Sequence, residues 1–372
     1  MLIGRYIGKR LGDISKLLFG GKKDLGIDGS PSGLAVSVVS NTQLNLSWTN
    51  GSTNEDGISI ERSEDGVSYT EIYQTAAAAT SYNNTGLTQN TNYYYRVRAF
   101  RGSVYSEYSD VVSVYTLTTD CFNYIDGLET PLSSVQVGYI NTFIKALYSG
   151  LGITALSQFF DAIYILAGET AESSLRNIVK RDYDGIANNS PVFTQYEGFI
   201  TPNARGTTIG IPFNPYTDQV NSKCKKDDNT FLIYYRSYGN ETNNSEGYSN
   251  GIKGVGGTRL RYITAGLRWY AYNFEDATDP KGHYLNEKKR AVGFTHERRI
   301  GQDRIGGHNY NDKDWTTRSD PFDIVDASFY IAIYLNQVSF FLIGKYVSDA
   351  YLTVIMDAFE VYMDAREKGV LS

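Results

Sequence analysis

The sequence predicts a mainly β protein: an N-terminal helical peptide, a first β-sandwich, then a second, larger β-sandwich with flanking helices. Three observations carry this. Apolar residues recur at helical spacing up to Leu18, but from Leu34 their period is 2, the change that separates helix from strand. Short alternating runs bounded by turn residues then follow one another, which is how sandwiches are built. Aromatic residues make up 14% of the 372 residues, and 31 of them are Tyr, too many core formers for a disordered chain. The same composition excludes other classes. With 2 Cys and 3 His, a disulfide scaffold and a zinc or haem site are not expected. No apolar run approaches the length of a membrane span.

Residues 1–28 form the first segment, an amphipathic docking peptide and linker. Leu2, Ile3, Tyr6, Ile7, Leu11, Ile14, Leu17 and Leu18 fall on one helical stripe, and Gly4, Gly8 and Gly12 recur every fourth residue. The glycines each cost about 1 kcal/mol of helix stability against Ala, so such a helix forms mainly on docking. The docking residues are Leu2, Ile3, Ile7, Leu11, Ile14, Leu17 and Leu18. A mobile tail, a helix packed on the chain's own body and a membrane-surface anchor are the competing readings. Six basic residues against three acids lie in this segment, while the whole chain carries −6. The remainder is therefore acidic, which disfavours nucleic acid. No secretory leader is expected, because the basic residues are scattered and no apolar h-region follows them. GGKKDLGIDGSPSG reads as the linker.

Residues 29–118 form the second segment. Leu44, Leu46 and Trp48 alternate, then Ile58 and Ile60, then Tyr93, Tyr95, Val97 and Ala99, and finally Val112 and Val114, with Leu117 closing the set. Tyr94, Arg96 and Arg98 face the other way. Asp65–Gly66 marks a hairpin turn. Trp48 on the second strand, the segment IERSEDGVSYTEI, and GLTQNTNYYYRVRAF together resemble the fibronectin type III family. Leu87 and Tyr93 stand where that family has its corner Leu and Tyr. The resemblance implies that the Tyr93 hydroxyl bonds back to the preceding loop, and that the module is a spacer or presentation unit rather than a catalyst. No RGD-type loop is present.

Residues 119–372 form the third segment. In SSVQVGYINTFIKALYSGLG, Ile140, Phe143, Ile144 and Leu147 share a helix face. TALSQFFDAIYIL repeats that spacing at Leu156, Phe159, Phe160 and Ile163, so a second helix is expected. Strand-like runs follow: TTIGIPF, TFLIYYRSYG, RLRYITAGLRWYAYNF, KRAVGFTHE and ASFYIAIYLN. The last helix has Ser348 as N-cap, a stripe of Leu352, Ile355, Met356, Phe359 and Met363, and Lys368 and Gly369 at its end. The INTFI preface, IVKRDYDGIANNSPVFTQYEGFITPNARGTTIGIPFNP, FYIA and the late SDAYLTVIMDAF helix resemble the concanavalin-like lectin/glucanase domains at the ends of bacteriophage virion proteins. The resemblance implies a jelly-roll sandwich and a particle component assembled in the host cytoplasm.

Glycoside hydrolysis needs two carboxyls placed across the scissile bond. The glucanases of that architecture carry them as ExDxE on a strand, and no ExDxE occurs here. GxSxG, HExxH and a phosphate loop are also missing, and His283, His296 and His308 are too scattered for a triad. The expectation is no enzyme and no catalytic residue. Asp312, Asp314, Asp320 and Asp323 offer oxygen atoms for Ca²⁺, but their spacing is not an EF-hand. They read as a solvated acidic loop, with no cofactor and no metal site expected. Cys121 and Cys224 are expected to be free, mostly buried thiols, with a disulfide between them left open.

Strand parity gives the carbohydrate-binding candidates. Tyr234, Arg236 and Tyr238 share one parity, and so do Arg268, Tyr270 and Tyr272. Rings beside guanidinium groups suit a sugar. The competing reading packs that face under a helix, a loop or another subunit. The functional expectation is a fibre, head-fibre or decoration protein that docks by its head and presents a lectin-like module. Its expected partners are capsid, portal, neck or tail components, further copies of itself as a homo-oligomer, and a host glycan. A bacterial surface carbohydrate-binding adhesin and a polysaccharide depolymerase are the alternatives.

Overall fold

The computed structural model describes residues 26–200, 208–213, 222–224, 228–237, 246–248, 257–263, 268–275, 283–285, 293–300, 303–308, 312–317, 329–332 and 337–367. The docking residues Leu2, Ile3, Ile7, Leu11, Ile14, Leu17 and Leu18 lie outside them. The chain divides into two compact units, Met1–Leu117 and Thr118–Ser372. Its architecture is mainly β, with packed sheets and a few helices.

The first unit has strands β1 (Ser32–Val38), β2 (Gln43–Thr49), β3 (Gly57–Ser63), β4 (Thr70–Gln74), β5 (Ser81–Thr85), β6 (Asn92–Arg101), β7 (Val104–Tyr105) and β8 (Val112–Tyr115). One sheet has the order β1-β2-β5; the other runs β4-β3-β6-β7, with β8 also paired to β6. Leu44, Leu46 and Trp48 of the first sheet meet Ile58, Ile60, Tyr93, Tyr95, Val97 and Ala99 of the second in one core. The buried rings find polar partners. The Thr88 N–H donates to the Tyr93 hydroxyl at 3.0 Å, the Asn84 amide to the Tyr95 hydroxyl at 2.7 Å, and the Trp48 indole N–H to the Ala79 carbonyl at 2.9 Å. The β3–β4 turn is held by Asp65, whose carboxylate accepts from the Val67 and Ser68 N–H groups. Gly66 there has φ of 74°, a conformation that favours glycine.

In the second unit the described strands are β9 (Phe160–Tyr164), β10 (Ile186–Asn188), β11 (Val192–Thr194), β12 (Gly198–Ile200), β13 (Thr208–Ile211), β14 (Asp228–Ser237), β15 (Glu246–Tyr248), β16 (Gly257–Ile263), β17 (Arg268–Glu275), β18 (His283–Leu285), β19 (Gly293–Ile300), β20 (Asp303–His308), β21 (Asp312–Thr317), β22 (Phe329–Ala332) and β23 (Gln337–Gly344). The described helices are α1 (Thr119–Ile125), α2 (Ser134–Leu151), α3 (Ala171–Leu175) and α4 (Asp349–Asp364). Among the described residues, the largest sheet has the order β11-β12-β23-β14-β19-β20-β21, with β9 also on β23. Smaller sheets are β10-β13-β22 and β15-β16-β17-β18.

Ile209 and Ile211 of β13 share a core with Phe231 and Ile233 of β14 and with Val338, Phe341 and Ile343 of β23. The alternate residues of the same large sheet meet the helices. Phe359 of α4 lies 4.5 Å from Phe340 and 5.1 Å from Tyr234, centroid to centroid, and Phe143 of α2 lies 6.0 Å from Phe340. The β14–β23 part of the large sheet is therefore covered on both faces. The helix ends follow local chemistry: the Ser133 hydroxyl accepts from Gln136 N–H, the Ser348 hydroxyl accepts from Tyr351 N–H, and Gly152 closes α2 in the left-handed region. A Cβ on Gly150 would sit 2.3 Å from Val354 Cγ1, so only glycine lets α2 and α4 come this close.

One expected helix is a strand. TALSQFFDAIYIL forms a single 3-10 turn at Leu156–Gln158 and then β9, buried at every position. An apolar run buried on both faces carries no period, so its spacing matched a helix by accident. The last helix ends at Asp364 with Ala365 as its C-cap, before Lys368 and Gly369, which lie outside the described residues.

Candidate functional site

The best-formed polar surface among the described residues lies on the outer face of the first unit's larger sheet. Glu61 of β3 and Arg96 and Arg98 of β6 come together because β3 and β6 pair antiparallel, with Glu61 opposite Arg96. The Glu61 carboxylate is 2.7 Å from Arg96 Nη2 and 3.0 Å from Arg98 Nη2, and accepts from the Tyr108 hydroxyl at 2.6 Å. Tyrosine rings interleave with the guanidinium groups. Arg96 lies 4.1 Å from the Tyr69 ring and 3.9 Å from Tyr108; Arg98 lies 4.5 Å from Tyr108 and 3.9 Å from Tyr105. Burial alone would raise the Glu61 pKa, but the hydrogen bonds from Tyr108 and Arg96 and the charges of Arg96 and Arg98 hold it below the ordinary carboxylate range. Such stacks are worth about 0.5–1 kcal/mol each at partly exposed sites. The arrangement is a ladder of rings and guanidinium groups around one carboxylate. The sequence signal was present in the outward parity of Arg96 and Arg98. The Tyr partners arrive from other segments and could not be read from it.

The sugar-binding candidates separate onto two sheets. Tyr234 is on β14 and fully buried, its ring 4.7 Å from Phe294 and 5.1 Å from Phe359. The face expected to hold a sugar is covered there by α4, so Tyr234 is a core residue. Arg236 lies two positions on in β14, and Tyr238 is outside the described residues. Arg268, Tyr270 and Tyr272 occupy alternate positions of β17, where Tyr270 pairs with Arg261 of β16 and Tyr284 of β18, and Tyr272 with Arg259. Asp312 and Asp314, expected in a loop, lie on β21 opposite His308 and Gly306 of β20; cross-strand pairing overrides the low strand propensity of Asp. Asp320 and Asp323 are outside the described residues. Among the described residues no group of three His, Cys, Asp or Glu could hold a metal ion, and no helix is long and apolar enough to cross a membrane.

Two buried acids in the second unit serve the fold. Asp120 of α1 accepts from the Tyr148 hydroxyl at 2.6 Å and the Leu156 N–H at 2.7 Å. Asp161 of β9 accepts from the backbone N–H groups of Lys223 and Cys224 and from the Ser222 hydroxyl. Burial raises the pKa of both. Cys121 and Cys224 are buried thiols that form no disulfide, and burial pushes the Cys121 thiol up.

The sandwich, the corner tyrosine and the sheet orders define the class of the first unit. Residues 29–115 match the model of the fibronectin type III domain, and this unit is such a domain. Similar solved structures include an Fn3-like protein from Clostridium thermocellum, 28% identical over 23% of this chain and 91% of that one, with TM-score 0.22. The sixth fibronectin type III domain of human fibronectin type III domain containing protein 3 is 26% identical over 26% of this chain and 92% of that one, with TM-score 0.22. Domains A168–A170 of titin are 25% identical over 24% of this chain and 32% of that one, with TM-score 0.22; the chain thus spans about a third of that titin fragment. No curated protein matches the chain.

Proposed function

We propose that the chain is a structural and recognition component of a tailed-bacteriophage particle. Its fibronectin type III domain acts as spacer, and its second unit acts as a concanavalin-like, lectin-type module facing a neighbouring subunit or a host glycan. The observation that carries this is the polar face of the first unit. Glu61 is paired with Arg96, Arg98 and Tyr108, an arrangement that supports a contact surface better than a reaction centre. The virion assignment and the lectin assignment come from the sequence resemblance of residues 119–372. Mass spectrometry of purified particles tests the first: the chain is expected among the particle proteins, and its absence refutes the reading. Glycan-array binding with Tyr270→Ala and Tyr272→Ala tests the second. Loss of binding in the folded variants supports the module, and unchanged binding removes these residues from it. Sustained release of reducing sugar from host capsule would replace the structural reading with a depolymerase.

A further inference from the structure

The four-stranded sheet β15-β16-β17-β18 has two unlike faces, and its register says which residues share each. Residues paired directly across antiparallel strands lie on the same face. Gly247, Tyr262, Trp269 and Leu285 form one row across the sheet, and Leu260, Ala271 and His283 form the next. That face is mostly apolar. On the opposite face Tyr248, Arg261, Tyr270 and Tyr284 form a row that crosses all four strands. At about 4.8 Å between strands, the row is about 14 Å long. Arg259 and Tyr272 pair on one side of it, and Ile263 and Arg268 on the other, with Glu246 opposite Ile263. Antiparallel sheets with one apolar and one polar face set the first on a core and leave the second to water or a ligand.

The composition of the polar face sets its ligand. Among the described residues of this sheet it holds three arginines, one glutamate on the edge strand β15, and no lysine. The excess of positive charge calls for an anion. A guanidinium group fits a carboxylate through two parallel N–H donors, which an ammonium group cannot do. The tyrosines of the same row bring rings for the apolar face of a sugar and hydroxyls for its polar edge. A nucleic acid carries a charge on every unit, and the chain as a whole stands at −6, so the rest of the molecule opposes it. A polysaccharide with sparser carboxylates is opposed less. The first unit supplies the contrast, because there Glu61 sits between two arginines and answers their charge.

We propose that this face binds an acidic polysaccharide, with its carboxylates on Arg259, Arg261 and Arg268 and its sugar rings on Tyr270 and Tyr272. The inference rests on the lectin-type reading of the second unit and gives that reading a ligand class, a chain of carboxylated sugars. It also adds Arg259 and Arg261 of β16 to a site that strand parity had confined to β17.

Binding of the full-length protein to an array of immobilised glycans tests it. The array carries oligogalacturonate, alginate, hyaluronan and polysialic acid, with methyl-esterified oligogalacturonate and dextran as uncharged counterparts. Capture is expected on the acids and about tenfold weaker on the methyl ester, which keeps the rings and loses the charge. It is also expected to fall as salt is raised. Arg261→Gln and Arg268→Gln are each expected to lower capture by about tenfold, with Arg261→Lys in between, because lysine keeps the charge but not the fork. Circular dichroism checks that the variants fold, and the ester comparison uses the unaltered protein and stands whatever the variants do. Equal capture of acid and ester overturns the proposal and leaves the lectin-type reading in place. So does capture of dextran alone, or capture unchanged in both folded glutamine variants. Capture of none of these glycans removes the proposal and the lectin-type reading together. Tighter binding of single-stranded oligothymidylate than of any glycan overturns the proposal in favour of nucleic acid.

Discussion

β2 of the first unit and β23 of the second are both antiparallel core strands, yet they are buried differently. In β2 only Leu44, Leu46 and Trp48 are buried, every second residue; in β23 all eight positions are buried. The first unit closes by setting two sheets face to face, so β2 and β6 alternate between buried and more open positions, while β3, between two neighbours, is buried at all but Arg62. The second unit closes its large sheet twice, with β13 on one face and α2 and α4 on the other. Among the buried acids, Glu61 of the first unit is neutralised by two guanidinium groups, whereas Glu55 of the same unit and Asp120 and Asp161 of the second accept N–H and O–H donors from neutral partners or backbone. The first unit is held by alternation and ion pairs, and the second by aromatic packing that needs its last helix.

The largest expected effect breaks the helix layer. Phe359 meets Phe340, Tyr234, Tyr362, Phe294 and Phe143 with centroids 4.5–6.3 Å apart. Phe359→Ala removes the centre of this cluster and leaves a cavity, at a cost of about 4 kcal/mol. Hydrogen exchange followed by mass spectrometry should show faster exchange in β14 and β23 and none of this change in residues 29–115. Equal loosening of both units would refute the separation. The next effect acts on the other side of the comparison. Glu61→Gln keeps the side chain's shape but leaves Arg96 and Arg98 without their counter-charge. The Glu61 side chain is 7% exposed and the arginines 28% and 24%, so a loss of about 2 kcal/mol is expected in the first unit. A change within about 0.5 kcal/mol, the range of an ordinary surface substitution, would mean that the ladder is ornament to the fold.

The same difference explains what the sequence disclosed. Alternation is legible where one face is wetter than the other, and so β2, β6 and β8 could be assigned residue by residue, with Tyr93 and Leu87 marking the corner. Continuous burial erases the period. TALSQFFDAIYIL read as a helix for that reason, and the parity of Tyr234 suggested an open ligand face where α4 lies instead. Nothing in FLIYY says which element will cover it, because the cover comes from residues more than a hundred positions away. α2 and α4 were legible because a surface helix keeps a polar side and ends at Ser caps. The Glu61 ladder was half legible: the outward arginines were visible, but the antiparallel register that sets Glu61 beside them was not.

Tyr93→Phe sharpens the assignment of the first unit at smaller cost. It deletes the acceptor of the Thr88 N–H and keeps the ring in the core, so about 1 kcal/mol is expected to be lost. Exchange of the Thr88 amide should rise while β14 and β23 are untouched. An unchanged amide would show that the loop is held by its other contacts, such as the Leu87 N–H donated to the Thr42 carbonyl.

The smallest effect is distinguished by its sign. Glu61 has its folded pKa lowered, so its contribution is present above the ordinary Glu pKa of about 4.3 and is lost as pH falls through the lower folded value. Asp120 and Asp161 have theirs raised. Their folded states hold the proton more tightly than the unfolded chain does, so the stability they confer is complete below about 3.9, the ordinary Asp value, and lost as pH rises through the raised values. Acidification from neutrality toward pH 4 should therefore firm the second unit at these two sites before it weakens the first. Hydrogen exchange at several pH values, corrected for the intrinsic pH dependence of amide exchange, reads both trends in one sample. Asp161→Asn should abolish its share of the second trend without touching the first, because the Lys223 and Cys224 N–H groups keep a neutral acceptor. If the two units instead weaken together over this window, their buried acids are governed by something other than the partners they touch.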